Sequence, residues 1–448
     1  MEIRFAKLLM MVVAAVTFAS GVEAASRNAA TCSSADVQRA VDSSQNGDTV
    51  VVPAGNCTWG DQVSVVNKTV SLVGAGSGAG GTHIVYSGTD QHAFFFINVG
   101  NQTGYMEVSG FWLDKPATGV QLYSGFVQVY GPVGWKNFRY HHNRMTSAND
   151  RDWHIVVNYS IHGLIDHNVF EGRFGGLLIR GLSESDWTSP LTLGSADWLF
   201  VEDNTFNAVP APSPYDGIQF GVNDLQHGGR VVFRNNVVNN AFFQTHDRMR
   251  TGYAAGHAYE IYNNQFVAQP GYAIHKGVEL NSGTGVVYGN SFTGWFNYAI
   301  GMRDYKTAGP WVNNGTVNVL PCNGSDPLDQ NVSGQSGWRC QYQVGTHNFG
   351  ANTISYPVYF WSNTCDGDDG GCSGGSQPGI VDDSVTEAPY NRPTSSHVQP
   401  GRDYINNGTT PKPGYTPFAY PHPLQSGAGG SSSLGTPEPP RNLRITTG

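Results

Sequence analysis

Short runs of alternating apolar and polar residues recur along the chain, each stopping on an asparagine that is followed by one residue and then another apolar side chain. They read FRYHHNRM (138–145), LIDHNVF (164–170), FVEDNTF (200–206), VVFRNNVV (231–238), YEIYNNQF (259–266) and VVYGNSF (286–292), with a degenerate earlier copy, MEVSGFWL, at 106–113. Alternation of period two predicts short strands with one face inward. The aligned asparagines are Asn143, Asn168, Asn204, Asn236, Asn264 and Asn290, spaced by 25, 36, 32, 28 and 26 residues. Strands recurring at such a period predict a solenoid, in which each repeat buries its apolar face against its neighbours. A β-sandwich would instead show hairpin turns at closer spacing and no aligned asparagines.

The N-terminal part predicts an amphipathic helix. Ser33 or Ser34 can cap it, and Val37, Ala40 and Val41 share one face. A turn at NGD and the strand TVVVPAG follow, and such a helix suits the exposed end of a stack of strands. With the GDTVVVPAG signature and the asparagine repeat together, the chain resembles the right-handed parallel β-helix proteins of the pectate-lyase-like superfamily over roughly residues 30–424. The resemblance implies an all-β, single-stranded right-handed parallel β-helix with an N-terminal capping helix. Each coil would supply about three strands to three parallel sheets, with equivalent residues stacked at the strand spacing of about 4.8 Å. The asparagines would hold turns.

Past Asn290 the repeat is interrupted by an insertion around 305–356, and Asn363 in YPVYFWSNTCDG resumes it. The Pro- and Tyr-rich segment from Gly401 to Leu424 is expected to pack along the barrel, which closes a domain of 25–424. A flexible linker (425–436) and a short C-terminal strand or the start of a further module (437–448) follow. Residues 1–24 read as a secretory signal, with Arg4 and Lys7 ahead of the apolar run LLMMVVAAVTFA and small residues at Ala24. The expected location is therefore secreted, either extracellular or periplasmic, with no transmembrane segment.

Composition adds a few constraints. The chain of 448 residues is 39% hydrophobic and 12% aromatic, which fits a folded protein with a large core. Its formal charge of -9 argues against nucleic acid or anionic lipid as a general partner and leaves a neutral or acidic glycan open. Six cysteines in an exported chain predict disulfides. Nearest-neighbour pairing gives Cys32 with Cys57, Cys322 with Cys340 and Cys365 with Cys372.

Candidate chemistry comes from the strands that follow each asparagine turn, aligned as LLIRG (177–181), GIQFG (217–221), AFFQTH (241–246), YAIHKG (272–277) and YAIGMRD (298–304). Placing Ile179, Ile218, Phe243, Ile274 and Ile300 inward turns Arg180, Gln219, Gln244, His275 and Gly301 outward, with His246 and Arg303 two residues on. Nearby loops add Asp216, Asp247, Arg248, Arg250, Tyr253, His257, Lys276, Glu279 and Asp304. A row of His, Arg and Gln on adjoining coils reads as a ligand groove.

β-Elimination of a uronate polysaccharide needs a base for the proton beside the carboxylate and donors for the charge that develops. His246 or His275 would be the base, and Arg250 and Arg303 would hold the carboxylate. Tyr253 or Lys276 would supply the acid, and Arg180, Gln219, Gln244, Asp247, Glu279 and Asp304 would bind substrate. Glycoside hydrolysis needs paired carboxylates instead, for which Asp216, Asp247, Glu279 and Asp304 are the candidates. The clustered N-x-D and D-D aspartates of polygalacturonase-like β-helix hydrolases are missing from these strands, so the lyase reading ranks first.

GLIDHNVF is similar to the WIDH motif of pectate lyases, with Leu164 in place of the tryptophan and no R-x-P-x-x-R motif elsewhere. Asp166 and His167 fall at an asparagine turn, which points to a structural role. Asp366, Asp368 and Asp369 between Cys365 and Cys372 are weak calcium candidates. Trp153, Tyr215, Tyr253, Tyr272, Trp295 and Tyr298 are expected beside the row, where aromatic faces stack on sugars. The competing class is non-catalytic: an adhesin or structural solenoid that binds glycan or assembles through its ends. Self-association, sugar and linkage stay open at the level of sequence.

Overall fold

A computed structural model of the protein describes residues 24–89, 94–117, 122, 124–148, 152–173, 175–209, 221–246, 254–269, 274–303, 312–313, 316–317, 342–348, 353–366, 378–380 and 398–426. The strands build three large parallel sheets of twelve, ten and ten strands. The chain visits them in turn. Phe138–His141 lies in the first sheet, Arg144–Ser147 in the second and Trp153–Val157 in the third, and Gly163–Asp166 then returns to the first beside Phe138–His141. The chain is a parallel β-helix.

Every connection from the first to the second sheet between His141 and Thr364 is the same two-residue turn, and the repeat is its signature. Its first residue takes a left-handed backbone: His142, His167, Asp203, Asn235, Asn263, Gly289 and Ser362 all have φ between 52° and 64°. Asn, Asp, His and Gly tolerate that region best, which explains the polar residue before each asparagine. The second residue is the asparagine itself, buried from Asn143 to Asn290.

Each asparagine Oδ1 accepts the backbone N–H and the Nδ2 of the asparagine one coil earlier. The Asn168 N and Nδ2 donate to Asn204 Oδ1 at 3.0 Å each, and Asn290 closes the series on Asn363 at 3.1 and 2.9 Å. Asn143 Oδ1 begins it by accepting from Phe111 N at 3.0 Å, where the degenerate copy turns through Gly110 at φ 77°.

Inward positions stack into the core. Phe170 lies on Phe206 with ring centroids 4.5 Å apart, and Phe266 lies on Phe292 at 4.9 Å, in the same inward row of the second sheet. The N-terminal helix spans Ser34–Ser43, and the Ser33 Oγ accepts from Asp36 N at 3.2 Å. It buries Val37, Ala40 and Val41, and Gln38 fastens it to Ser64 of the third sheet through Ser64 N at 2.7 Å. Cys32 and Cys57 form a disulfide that ties the segment before this helix to the second sheet. Cys365 is also disulfide-bonded, whereas Cys322, Cys340 and Cys372 lie outside the described residues.

The C-terminal tail lies over the outer face of the first sheet, and Gln425 fastens it there by donating to Glu202 Oε1 at 2.7 Å. Along that face Asp166, Glu202, Arg234, Tyr262, Tyr288 and Trp361 occupy one row on successive coils. Tyr262, Tyr288 and Trp361 stack at 4.7 and 4.2 Å, and Tyr415 of the tail donates to Glu260 Oε2 at 2.6 Å. Asp166 pairs with Arg139 through two bonds of 2.9 and 2.7 Å, and His167 is the left-handed turn residue beside it.

Four enclosed histidines make stability depend on pH. Burial lowers His154 to about 3 and His162 and His422 to about 4, and burial with the neighbouring His141 and His167 lowers His142 to about 4. The unfolded chain takes up these protons near the ordinary histidine value while the folded chain refuses them, so stability falls as pH drops from about 6.5 to 4. His167, raised by Asp166, and Glu260, raised by burial, act in the opposite sense. The expected result is a thermal midpoint that declines steadily between pH 7 and pH 4.5; a flat profile over that window would contradict it.

Candidate functional site

The outer face of the third sheet carries the predicted row, in a different register from the one expected. Leu177, Asn223, Phe243, Val278 and Ile300 form one inward row, and Leu178, Asp224, Gln244, Glu279 and Gly301 form the outward row beside it. The strand on the Gln219 coil is Gly221–Gln226 and not 217–221, so Asp224, and not Gln219, sits beside Gln244. Glu279, and not His275, faces Gln244 from the other side. His275 lies in the strand Ile274–Leu280, four residues ahead of that position.

A second outward strip runs along the ends of these strands. Arg180 pairs in register with Gln226, and the N–H groups of His246 and Arg303 donate to Leu225 O at 3.0 Å and Leu280 O at 2.9 Å, which extends the same ladder by one residue. The strip thus runs through Arg180, Gln226, His246, Asn281 and Arg303 on five successive coils. His227 follows Gln226 in a turn with φ 53°, and burial together with Arg180 and His246 lowers its pKa. That imidazole is neutral near pH 7 and able to accept a proton.

The inner strip is more enclosed. Lys276 and Glu279 are both buried and form an ion pair at 3.1 Å, and Gln226 Nε2 donates to the buried Asp224 at 2.7 Å. Asp224 and Glu279 lie two coils apart, with Gln244 between them, a separation of about 9.6 Å from the strand spacing. Tyr298 faces Lys276 on the next coil, Trp153 opens its own third-sheet strand, and Trp295 is exposed.

Gln219, Asp247, Arg250, Tyr253 and Asp304 lie outside the described residues, as do Asp216, Arg248, Tyr215, Tyr272, Asp368 and Asp369. Asp366 ends the strand Thr364–Asp366 and is exposed. Among the described residues no group of three or more His, Cys, Asp and Glu is arranged to hold a metal ion. His257 is fully enclosed against Trp187 and His347, next in the chain to Gly256, whose N–H donates to His246 O at 2.9 Å.

Asp224, Gln226 and His227 are additions that the sequence pattern conceals. The strand GVNDLQ points Asn223 into the core, where its Nδ2 donates to Gln244 O at 3.1 Å. That inward polar residue breaks the alternation by which the strand could have been found.

No protein-family model matches the sequence, and no curated protein matches it. Among solved structures, a PL6 family alginate lyase is 12% identical with a TM-score of 0.37, over 86% of this chain and 54% of that one. ORF18 of Geobacillus virus E2 is 14% identical with a TM-score of 0.35, over 61% and 58% of the two chains. The catalytic domain of a GH87 α-1,3-glucanase is 10% identical with a TM-score of 0.31, over 86% and 68%. The chain spans little more than half the length of the first two. At this level of similarity no residue and no substrate carries over, and the architecture rests on the sheet registers. No helix among the described residues is long and apolar enough to cross a membrane.

Proposed function

We propose that the protein is a secreted enzyme that binds a uronate-containing polysaccharide along the outer face of its third sheet and cleaves it by β-elimination. The observation that carries this reading is the strip along five successive coils in which His246 stands two coils, about 9.6 Å, from Arg180 on one side and from Arg303 on the other. An imidazole with a guanidinium two coils away on either side offers the two functions the reaction needs. His246 takes the proton beside the carboxylate, and one arginine, Arg180 or Arg303, reaching across the coil between, offsets the charge that develops on it. The electron pair forms the carbon–carbon double bond as the glycosidic C–O bond breaks, and the leaving oxygen takes up a proton. The Cys32–Cys57 disulfide suits an oxidising compartment outside the cytoplasm.

A second reading rests on Asp224 and Glu279. Their separation of about 9.6 Å falls at the upper edge of the carboxylate spacing of inverting glycosidases. Both are buried and engaged with Gln226 and Lys276, which places hydrolysis second.

The test is a panel of acidic and neutral polysaccharides incubated with protein from Ala25 onward, read for unsaturated ends by ultraviolet absorbance and separately for reducing ends. The expected result is a signal in both channels on an acidic glycan. It should fall by about 10²–10⁴ in His246→Ala with an unchanged circular dichroism spectrum. Reducing ends alone would favour Asp224 and Glu279, and silence in both channels would favour a binding or structural solenoid.

A further inference from the structure

Ahead of the proposed reaction centre, three aromatic side chains line the same outer face on successive coils. Phe96 and Tyr130 face each other in adjacent rows with ring centroids 5.8 Å apart, and Tyr130 meets Tyr159 at 5.4 Å. Gln128 Nε2 donates to the Tyr130 hydroxyl at 2.9 Å and fixes its position. Tyr159 is 50% exposed, although its ring is large and apolar. Its backbone, with that of Ser160, is left-handed at φ 65° and 52°, a conformation that costs free energy for a tyrosine. An exposed aromatic held on strained backbone does not contribute to the core.

Immediately after Tyr159 the chain forms one wall of a narrow notch lined by Ser160, Ile161, His162, Arg180, Gly229 and Arg230, with room for about one water-sized group. Three enclosed nitrogens there have no hydrogen-bond partner among the described residues: Arg180 Nε, Arg230 Nε and His162 Nδ1. Arg230 cannot swing away, because its Nη1 donates to Pro190 O at 2.8 Å and its Nη2 to Asp186 O at 2.8 Å and Ser189 O at 3.0 Å. Asp186 and Asp197 act on Arg230 through space, but neither hydrogen-bonds to the three nitrogens. Asp186 accepts from the Ser160 hydroxyl at 2.5 Å, and Asp197 pairs with Lys136 at 2.5 Å. Leaving guanidinium N–H donors buried and unsatisfied is costly, so the notch is built for an acceptor, and two cations, of which Arg230 is fixed by three carbonyls, favour an anionic one.

We infer that Tyr130, Tyr159 and the notch between Arg180 and Arg230 form an acidic-sugar subsite, in which a uronate ring lies on the tyrosines and one carboxylate oxygen enters the notch. The inference rests on the reading that this face takes a polysaccharide, and it adds where and by what chemistry the chain is held beside the cleavage point. Arg180 lies at the junction: it belongs to both the notch and the strip that leads to His246. The subsite therefore makes affinity depend on oligosaccharide length and on the carboxyl group.

The experiment is a calorimetric titration of the full chain with oligomers of polygalacturonate and of alginate, and with the same oligomers after reduction of their carboxyl groups to alcohols. Wild type, Tyr159→Ala and Arg180→Gln are compared, and unsaturated ends are measured in parallel. Tyr159 is exposed, so its truncation leaves the fold intact. The expected result is a Kd for the acidic oligomer about three- to tenfold weaker in Tyr159→Ala. Arg180→Gln should in addition erase the preference for the acidic over the reduced oligomer.

If affinity drops in both variants but wild type makes no unsaturated ends, the subsite stands and the lyase reading fails. If unsaturated ends appear and neither variant changes Kd, the lyase reading stands and the subsite is overturned. Failure of wild type to bind any acidic oligomer, or equal binding of the reduced ones, also overturns it; in the latter case the notch holds only water.

Discussion

Asn204→Ala is expected to destabilise the protein by about 3–5 kcal/mol, because one side chain satisfies several buried groups at once. Its Oδ1 accepts from Asn168 N and Nδ2, and its Nδ2 donates to Ile165 O and Glu202 O at 2.9 Å and to Asn236 Oδ1 at 3.1 Å. Alanine leaves a backbone N–H and a carbonyl buried at the turn with no water to replace the amide. Asn204→Asp fares no better, since it keeps the acceptor but places a carboxylate among three oxygens. Asn363→Ala should cost about half as much, because Asn363 is only half-buried and water can take the place of its side chain. Urea unfolding midpoints read the difference, with hydrogen exchange on Asn168 to confirm that the loss is local. A loss below about 1 kcal/mol for Asn204→Ala would show that the ladder is decoration and not support.

Arg234→Met is the second large effect, expected at about 3–5 kcal/mol together with release of the tail. Arg234 and Glu202 are both fully buried, with Nε donating to Glu202 Oε2 at 2.5 Å. The same guanidinium donates to Tyr262 OH, Phe418 O and Ala419 O at 2.8 Å each, so one cation joins the barrel to the strap across it. Glu202 reaches the strap as well, accepting from His422 N at 2.8 Å and Gln425 Nε2 at 2.7 Å. Removing the cation leaves a buried carboxylate with only these neutral donors. Glu202→Gln combined with Arg234→Met should recover part of the loss, since the unpaired charge is then gone. Limited proteolysis followed by mass analysis is the readout: cuts should appear within 411–426 in Arg234→Met while the barrel stays whole. An uncut tail would mean that the aromatic contacts of Phe418 and Tyr415 suffice.

Much of the barrel is legible residue by residue. The asparagine turns, the inward phenylalanines, the capping helix and the Cys32–Cys57 pair all follow from short-range patterns, and each takes the place in the fold that its pattern implies. The inward or outward direction of Arg180, Gln244, His246 and Arg303 is legible too, because parity along a strand is a local property. The coil-to-coil partners of those residues are not. The pairing of Gln244 with Asp224 and Glu279, the notch between Arg180 and Arg230, and the docking of Arg234 onto a tail about 185 residues away depend on contacts that no local pattern encodes.

Loop length is the physical reason for this division. From His141 to Thr364 the first and second sheets are joined by a turn of constant length, so aligning the asparagines aligns every strand on either side. The third sheet is reached at unequal distances along the chain: Trp295 alone separates Ser291–Gly294 from Phe296–Met302, whereas Gly221–Gln226 begins thirteen positions after Thr205–Ala208 ends, and added chain length between two strands costs little free energy. A slip of an even number of residues, as from His275 to Glu279, preserves the alternation, so the sequence by itself determined the solenoid and the outward direction of Arg180, Gln244, His246 and Arg303, whereas the inward Asn223 hid Asp224. Only the closing of each coil on the one before it decided which outward side chains became neighbours, because in a parallel ladder that choice is made by hydrogen bonds between strands and by packing over the core.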